Sequence, residues 1–383
     1  MHEIRFHAGI AELPAAAWDA LRADDNPFVS HAFLSALEET GCIHPDWGWQ
    51  AHHLALYEGS RLVAAAPLYL KGNSHGEFVF DWGWARAWER AGGEYYPKLL
   101  NAVPYSPVPG PRLLAGVGER SAALRHALVV AMCDETRRLG LSSVHANFLQ
   151  SAELAAFDGD WLARSDLQFH WHNHDYRHFS DFLAALNHKK RKNILRERNQ
   201  IAASGLAIEW RGGDTLGSAE WLQLHSLYEA TFNAKGNHPA LTAAFFARLG
   251  ELGSLAQLAL ARAGGKIVAM ALFIQGGSVL YGRYWGAEVN VPGLHFELCY
   301  YQGIEYAIAQ RLARFEPGAQ GEHKLARGFL PVQTNSRHYI AHGGFRQAVR
   351  EALVQEAMRL EDYRRELLLH DPYGHHPDGQ HRP

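Results

Sequence analysis

Two stretches of the chain repeat the same order of apolar and polar positions, LALYEGSRLVAAAPLYL at Leu54–Leu70 and LALARAGGKIVAMALFI at Leu258–Ile274, about 204 residues apart. In each, an apolar run, a short Gly-containing turn, a basic residue and a second β-rich run predict a β-hairpin. Two copies of one domain follow from such a repeat. Downstream of each hairpin, apolar residues recur at helical spacing: Leu124, Ala127, Leu128 and Ala131 in the first half, Tyr301, Ile304, Ala307, Ile308 and Leu312 in the second. Each predicted helix feeds a strand, SSVHAN in the first half and EPGAQG in the second, and the second half adds an extra strand, SVLYGRYWGA, after its hairpin. Sheets flanked by helices, an α/β fold, account for that order. The boundaries expected are a first domain over residues 1–165, a second over 166–370 carrying a basic helical segment, and a disordered tail over 371–383. Pro-rich VPYSPVPGPRLL (Val103–Leu114) is expected to be a structured loop, because Pro fixes φ and is excluded from central strands.

Composition supports this division and removes some classes of function. At 383 residues the chain is longer than one core normally spans, which is roughly 250–300 residues. With 47% hydrophobic residues and 11 Trp, 15 Tyr and 18 Phe, it has ample material for burial. A net charge of -3 argues against a surface given over as a whole to nucleic acid or anionic membrane, while leaving room for a local patch. The cysteines, Cys42, Cys133 and Cys299, are widely spaced, which suggests neither a disulfide framework nor a thiolate zinc site and fits a reducing compartment. The N-terminal segment has no basic stretch followed by a sustained apolar core, and no run of about 18 apolar residues occurs. A cytoplasmic protein without stable membrane insertion is therefore expected.

The phrases VPYSPVPGPRLL, SSVHANF, LQFHWHNHDY, KKRKNILRER, GRYWG, HFELCYYQGIEYAI and EPGAQGEHKLARGFLP span Val103 to Pro331. Together they resemble the FemAB-like family of peptidoglycan biosynthesis or recognition proteins. The resemblance implies two tandem GNAT-like (acyl-CoA N-acyltransferase) domains with mixed sheets flanked by helices, and transfer of an acyl or aminoacyl group to an amine in the cleft between the halves. A non-catalytic protein that binds a cell-wall precursor or a protein partner is the alternative. GNAT acetyltransferases usually carry a Gly-rich turn that cradles the CoA pyrophosphate. Here GAEVNVPGLHFE offers Gly293 without the full pattern. The donor is thus open between an acyl-CoA and an aminoacyl-tRNA, with a small-molecule or peptide amine as acceptor and no tightly bound cofactor.

Acyl transfer needs a proton acceptor for the nucleophile and a donor for the tetrahedral oxyanion. His295 and Glu297 fall in the first turn of the helix after Ser278–Gly286, where Glu297 is a candidate base, an amine anchor or merely a carboxylate complementing the helix dipole. Glu322, His323 and Lys324 follow the strand expected at EPGAQG and would stand at the mouth of the sheet: His323 suits proton transfer and Lys324 an oxyanion or phosphate. HKLARGF, with Lys324 and Phe329, also loosely resembles the Lys–aromatic closing segment of Fem-type transferases. Period-2 alternation puts Arg283 and Trp285 on one strand face opposite Tyr284, either lining substrate or with the arginine stacked on Trp285 at a sheet edge. His170, His172 and His174 share a predicted strand face, but solvated or structural histidines are the better reading than a metal site. The resemblance points to Gln168 and His170 as cleft residues, and Tyr105 is either a wall of the acceptor groove or part of a packed loop. The basic run His188–Arg198 contributes Lys189, Arg191 and Lys192 as candidate clamps for donor phosphates, against a solvated helix with limited pairing from Glu197. No GxSxG elbow occurs, so direct attack without a covalent enzyme intermediate is expected.

Overall fold

The computed structural model describes residues 2–234, 236–319 and 321–374. In chain order the strands of the first half are β1 (Glu3–His7), β2 (Trp49–Ala51), β3 (His53–Glu58), β4 (Arg61–Ala66), β5 (Leu68–Lys71), β6 (Lys98–Asn101), β7 (Ser143–Leu149) and β8 (Leu162–His172). Those that follow are β9 (Ala207–Gly212), β10 (Ala256–Ala263), β11 (Lys266–Gly276), β12 (Val279–Ala287), β13 (Arg314–Glu316) and β14 (Leu330–Ile340). The chain forms two compact units, one of Met1–Asp166 with Ala240–Phe245 and Gln333–Glu361, the other of Leu167–Pro239 with Phe246–Val332 and Asp362–Pro383. Residues 333–361 thus group with the first unit, whereas the sequence placed 166–370 in the second as one block.

Both repeated stretches are hairpins. β3 pairs with β4 from Leu54↔Ala66 to Glu58↔Arg61, and β10 with β11 from Ala256↔Ile274 to Ala263↔Lys266. The second turn is Gly264-Gly265, both at positive φ, which suits the tight twisted turn that joins two right-twisted strands. The copies differ where Pro67 interrupts the first. Lacking an N–H, it divides β4 from β5, and the ladder resumes beyond it through His52 N donating to Leu68 O at 2.9 Å. No proline interrupts β11, which runs unbroken for 11 residues.

Each unit then adds one antiparallel strand, a helix and a parallel strand. In the first, β5 pairs with β6, helix Ser121–Arg138 follows, and β7 lies parallel to β6. In the second, β11 pairs with β12, a helical stretch spans residues 294–309, and β13 lies parallel to β12. SVLYGRYWGA is therefore no extra strand. Its counterpart is β6, four residues with too little pattern to be read as a strand. EPGAQG contributes only its first residue to a strand among the described residues, because β13 ends at Glu316 and Pro317 cannot donate the next ladder bond. An antiparallel strand closes each set, β14 beside β7 and β8 beside β13, so the last strand of the chain's second half completes the first unit.

The periodic residues are the cores. Leu124, Leu128, Ala131 and Met132 pack on Leu54, Leu56, Leu68, Leu99 and Val144 in the first unit. Tyr301, Ile304, Ala307 and Ile308 are buried in the second, as are Leu258, Leu260, Met270 and Leu280. The Pro-rich segment is a buried loop: Leu114 and Ala65 exchange two backbone bonds of 2.8 Å, and Gly110 N donates to Phe148 O at 3.0 Å. Of the tail expected to be disordered, residues 371–374 are ordered, with Tyr373 donating its hydroxyl to Gly328 O at 2.7 Å and Asn187 N donating to Pro372 O at 2.9 Å. The rest, 375–383, lies outside the described residues. Among the described residues no helix is long and apolar enough to cross a membrane.

One polar cluster sits inside the first unit. Lys98, fully buried, donates to Asp81 at 2.5 Å, Glu77 at 2.9 Å and Ser74 at 3.1 Å, while Tyr95 donates to Asp81 at 2.6 Å. Its cross-strand partner Lys71 is equally buried, lies 3.7 Å from the centre of the Trp49 ring and donates to His75 O at 3.1 Å. Removing one member of such a cluster leaves uncompensated buried charge. Lys98→Met is expected to cost about 3–5 kcal/mol, to be read as a lowered urea midpoint with little change in slope.

Candidate active site

The second unit gathers buried polar groups where β12 leaves β13. The parallel ladder joins only Val279–Tyr281 to Arg314–Glu316. Immediately beyond it stand Gly282 and Pro317, so close that a Cβ on Gly282 would come within 3.1 Å of Pro317 Cα. Arg283 is the extra residue of a β-bulge, since Leu272 pairs with Tyr284 and Phe273 with Gly282. The bulge breaks the expected alternation. Arg283 lies 5.3 Å from the Tyr284 ring rather than on Trp285, Tyr284 packs edge-on against Tyr228, and Trp285 meets His295 at 5.3 Å. Nor is β12 a sheet edge, being paired on both sides.

Glu316, the last residue of β13, is the carboxylate that the sequence reading passed over. It is 4% exposed, Arg314 Nε lies 2.7 Å from one oxygen and His170 Nε2 3.9 Å from the other, and neither oxygen accepts a hydrogen bond among the described residues. Burial pushes its pKa up to about 7 against the opposing pull of Arg314 and Arg283. His170 is buried beside Gln168, its Nε2 3.3 Å from Gln168 Oε1, and burial and the nearby cations hold it neutral. Lys324, also buried, donates to Gly318 O at 2.6 Å, and burial lowers its pKa to about 8.

A second cluster follows on the helical stretch that begins after Gly293. Residues Glu297–Tyr301 form a π-helical turn, a feature frequent at functional sites. His295 lies 5.4 Å from Tyr300 and 6.5 Å from His323 between ring centres, and the Tyr300 hydroxyl is 2.8 Å from His323 Nε2. Burial raises the Tyr300 pKa, keeping its hydroxyl protonated. His323 is exposed as a residue, and partial burial of its ring together with Arg327 and Lys324 lowers its pKa. A neutral hydroxyl–imidazole pair results. Arg327 lies 3.5 Å over the Phe296 ring, donates to His323 O at 2.9 Å and pairs with Glu197 at 3.0 Å; Tyr301 also donates to Glu197.

Glu297 is 3% exposed. Gln302 donates to its Oε1 at 2.8 Å and Arg198 lies 3.1 Å from the same oxygen, whereas Oε2 has no donor among the described residues. A buried oxygen left so costs about 1–3 kcal/mol, which a bound N–H group would offset. Cys299 is no nucleophile, because burial pushes its thiol far above the range in which thiolate forms.

His170 and the charge of Arg283 thus act on Glu316, Gln168 and Lys324 on His170, and His295 and His323 meet Tyr300, with Trp285 against His295. Other expected residues stand apart. Tyr105 belongs to the first unit and is packed, donating its hydroxyl to Cys42 O at 2.9 Å with its ring against Trp49. Glu322 is exposed and accepts from Tyr363. His172 and His174 are exposed, and His174 lies beyond the end of β8, so the three imidazoles do not converge. Among the described residues no group of three or more His, Cys, Asp or Glu is placed to hold a metal ion.

The basic run is helix His188–Ala202, capped by Asn187, whose side chain accepts from Lys190 N. Its outward face lines an open groove of about 610 Å³ with His188, Arg191, Lys192, Leu195, Arg196, Asn199, Gln200 and Ala203. Lys189 is exposed but does not line the groove, and Arg196 stands in its place. Glu197 and Arg198 turn inward, to Arg327 and to Glu297 with Glu305, so Glu197 does not pair with the outer cations.

The family model FemAB-like, described as peptidoglycan biosynthesis/recognition, matches residues 9–375. No curated protein matches the sequence. Among solved structures the chain is similar to FemX, with 11% identity, 91% of this chain and 100% of that one covered, and a TM-score of 0.51. The C-terminal domain of a putative lysylphosphatidylglycerol synthetase from Agrobacterium fabrum gives 12% identity, 90% and 97% coverage and 0.53, and L-PGS from Bacillus licheniformis gives 11%, 88% and 98%, and 0.51. Identities this low speak for the fold alone. The architecture is α/β, with mixed sheets flanked by helices in two units that repeat the same order of elements.

The outer cations of the basic helix make no ion pair among the described residues, so their removal should spare stability while weakening any polyanion contact. Replacing Arg191, Lys192 and Arg196 by Gln is expected to leave Tm unchanged, lower the salt needed to elute the protein from heparin, and reduce the slope of log affinity against log salt by about one per lost contact.

Proposed function

The chain belongs to the FemAB-like family, matched over residues 9–375, and on that premise we propose that it is an N-acyltransferase that moves an acyl or aminoacyl group from an activated donor to an amine. What supports this reading is Glu316, a buried carboxylate at the end of β13 that lies beside Arg314 and His170 and whose pKa burial pushes up to about 7. A general base works best when its pKa lies near the working pH; burial pushes Glu77 up to about 7 as well, but its Oε2 is bonded to Lys98.

In this reading the acceptor amine attacks the donor carbonyl directly, and Glu316 takes the proton that the nitrogen sheds. Negative charge then develops on the carbonyl oxygen, which Arg314 and Arg283, the charges that act on Glu316, would stabilise together with Lys324, which acts on His170. Cations held in a low-dielectric site stabilise such an oxyanion without reorganising. Collapse of the tetrahedral intermediate expels the leaving group, a thiolate or a ribose oxygen, and the Tyr300–His323 pair supplies its proton. The free Oε2 of Glu297 suits a second N–H or ammonium group of the acceptor. Trp285 and His295 offer ring faces to the acceptor, and Gln168 and His170 border the base.

The donor is an acyl-CoA or an aminoacyl-tRNA, whose phosphates Arg191, Lys192 and Arg196 would contact. Either supplies the same carbonyl to the same base. Mass spectrometry of compounds that co-purify with the full chain would distinguish them. A binding protein without turnover, the other sense of the family's description, would retain such compounds yet transfer nothing.

Activity should rise with pH through about 7 as Glu316 loses its proton, and fall above about 8 as Lys324 loses its own. Glu316→Gln is expected to lower kcat by about 10²–10⁴-fold and to remove the acid limb of the pH profile. Unchanged turnover in that variant would rule out this base. Lys324→Ala should lose the alkaline limb together with most of kcat, whereas Glu297→Ala should raise the acceptor KM more than it lowers kcat.

A further inference from the structure

The turn Glu322–Arg327 carries His323, Lys324 and Arg327 and is no part of the sheet. Two glycines bound it, Gly321 at φ 121° and Gly328 at φ 91°, in backbone conformations that few other residues adopt. Its backbone bonds are local: Lys324 N donates to Gly321 O at 3.0 Å, Gly328 N to Leu325 O at 3.2 Å and Phe329 N to Lys324 O at 3.3 Å. Such a segment is shaped by its own bonds and placed by its side chains.

Two tyrosines from further along the chain grip the turn at both ends. Tyr363, near the end of the helix Gly343–Leu368, donates its hydroxyl to Glu322, and Tyr373 donates to Gly328 O at 2.7 Å. Gly328 is packed so closely that a Cβ there would come 2.7 Å from the Phe182 ring and 3.2 Å from the Tyr373 hydroxyl. Tyr373 is fixed in turn by a bridge to Leu186, with Asn187 N donating to Pro372 O at 2.9 Å and Gly374 N to Ala185 O at 3.0 Å. As a residue Tyr373 is half-buried, and burial of its phenol pushes the pKa up, so the hydroxyl keeps its proton and stays a donor.

We propose that Tyr363 and Tyr373 are positioning residues, a clamp that holds the turn so that His323 and Lys324 keep their places, an inference that rests on those two side chains taking part in acyl transfer. The glycines leave the turn free to pivot, and among the described residues no ladder bond opposes that pivot. Misplacing a reacting group by about 1 Å lowers a rate about 100-fold. From inside, the turn is held by Lys324 on Gly318 O at 2.6 Å, by the contact of His323 with Tyr300 at 2.8 Å and by Arg327 on Glu197. The first two of those contacts change when Lys324 meets an oxyanion or His323 moves a proton. The bonds from Tyr363 and Tyr373 end on Glu322 and on a backbone oxygen, so they persist through the reaction and keep the turn from swinging.

Competitive labelling of the full chain with trace acetic anhydride, read lysine by lysine across pH by peptide mass spectrometry, tests the clamp without reference to turnover. Lys324 is buried, with a pKa lowered to about 8, and its charge reaches His170 of β8, Cys299 of the helical stretch and His323 of its own turn. Tyr363→Phe and Tyr373→Phe keep their rings and lose one hydrogen bond each. In Tyr373→Phe the limiting labelling rate of Lys324 at high pH is expected to rise roughly tenfold, the change that losing a bond of about 1.4 kcal/mol gives. Its titration midpoint should move from about 8 toward the ordinary lysine range as water reaches the ammonium. Tyr363→Phe, whose partner Glu322 is exposed, should do less, and the double variant more. Exposed Lys266 and buried Lys98 should keep their parent rates. An unchanged rate and midpoint at Lys324 in the double variant would overturn the clamp, and so would an equal rise at Lys98, the mark of general loosening. Labelling that shifts as expected in a protein that transfers no acyl group keeps the clamp and loses the transferase reading; transfer in the parent with Lys324 labelling unmoved in the variants does the reverse.

Discussion

The second unit's site depends on where one hydrogen-bond ladder stops. β12 and β13 run parallel for three residues, and Pro317, having no N–H, ends the pairing directly after Glu316. A longer ladder would have carried Glu316 into the middle of a strand pair. Ending there places its carboxylate at the mouth of the sheet, under enough burial to raise its pKa to about 7 but beside Arg314 and within the field of Arg283. The bulge at Arg283 serves the same end from the other strand, because the extra residue turns the guanidinium away from the regular alternation.

The helix His188–Ala202 links two kinds of electrostatics through ordinary helical periodicity. Arg191, Lys192 and Arg196 recur on the face that lines the open groove, where water screens their charge. Glu197 and Arg198 fall on the opposite side, where partial burial makes their pairs with Arg327 and Glu297 stronger than surface ion pairs. Arg327 in turn packs on Phe296 and holds the carbonyl of His323. One short run of charges is thereby divided into an exposed cationic surface and an internal brace for the Tyr300–His323 pair.

Local pattern was a good guide wherever one element supplies its own signal. The duplicated hairpins, the apolar spacing of Tyr301, Ile304, Ala307 and Ile308, and the position of His295 and Glu297 at the start of a helix all stand in the structure. Short elements were the ones misjudged. β6 has four residues and β13 three, too few for alternation to register, and so SVLYGRYWGA looked unmatched and EPGAQG looked like a strand. Glu316 did carry a faint signal, a lone carboxylate between Phe315 and Pro317. Its meaning was hidden because burial depends on neighbours from β8 and β12 that are distant along the chain.

The set of elements and their repetition are local properties of the chain, since periodicity, turn glycines and prolines act within a few residues of one another. The resemblance built on its phrases pointed to the family, and the match over residues 9–375 agrees. Which charges are buried, which strand completes which unit and which side chains share a site follow from packing. β14 closing the first unit, Glu197 bracing Arg327 across 130 residues, and Lys98 gathering Ser74, Glu77 and Asp81 are all long-range pairings. Such contacts are set by how whole elements pack, and a pKa follows from that packing rather than from the residue's own neighbours in sequence.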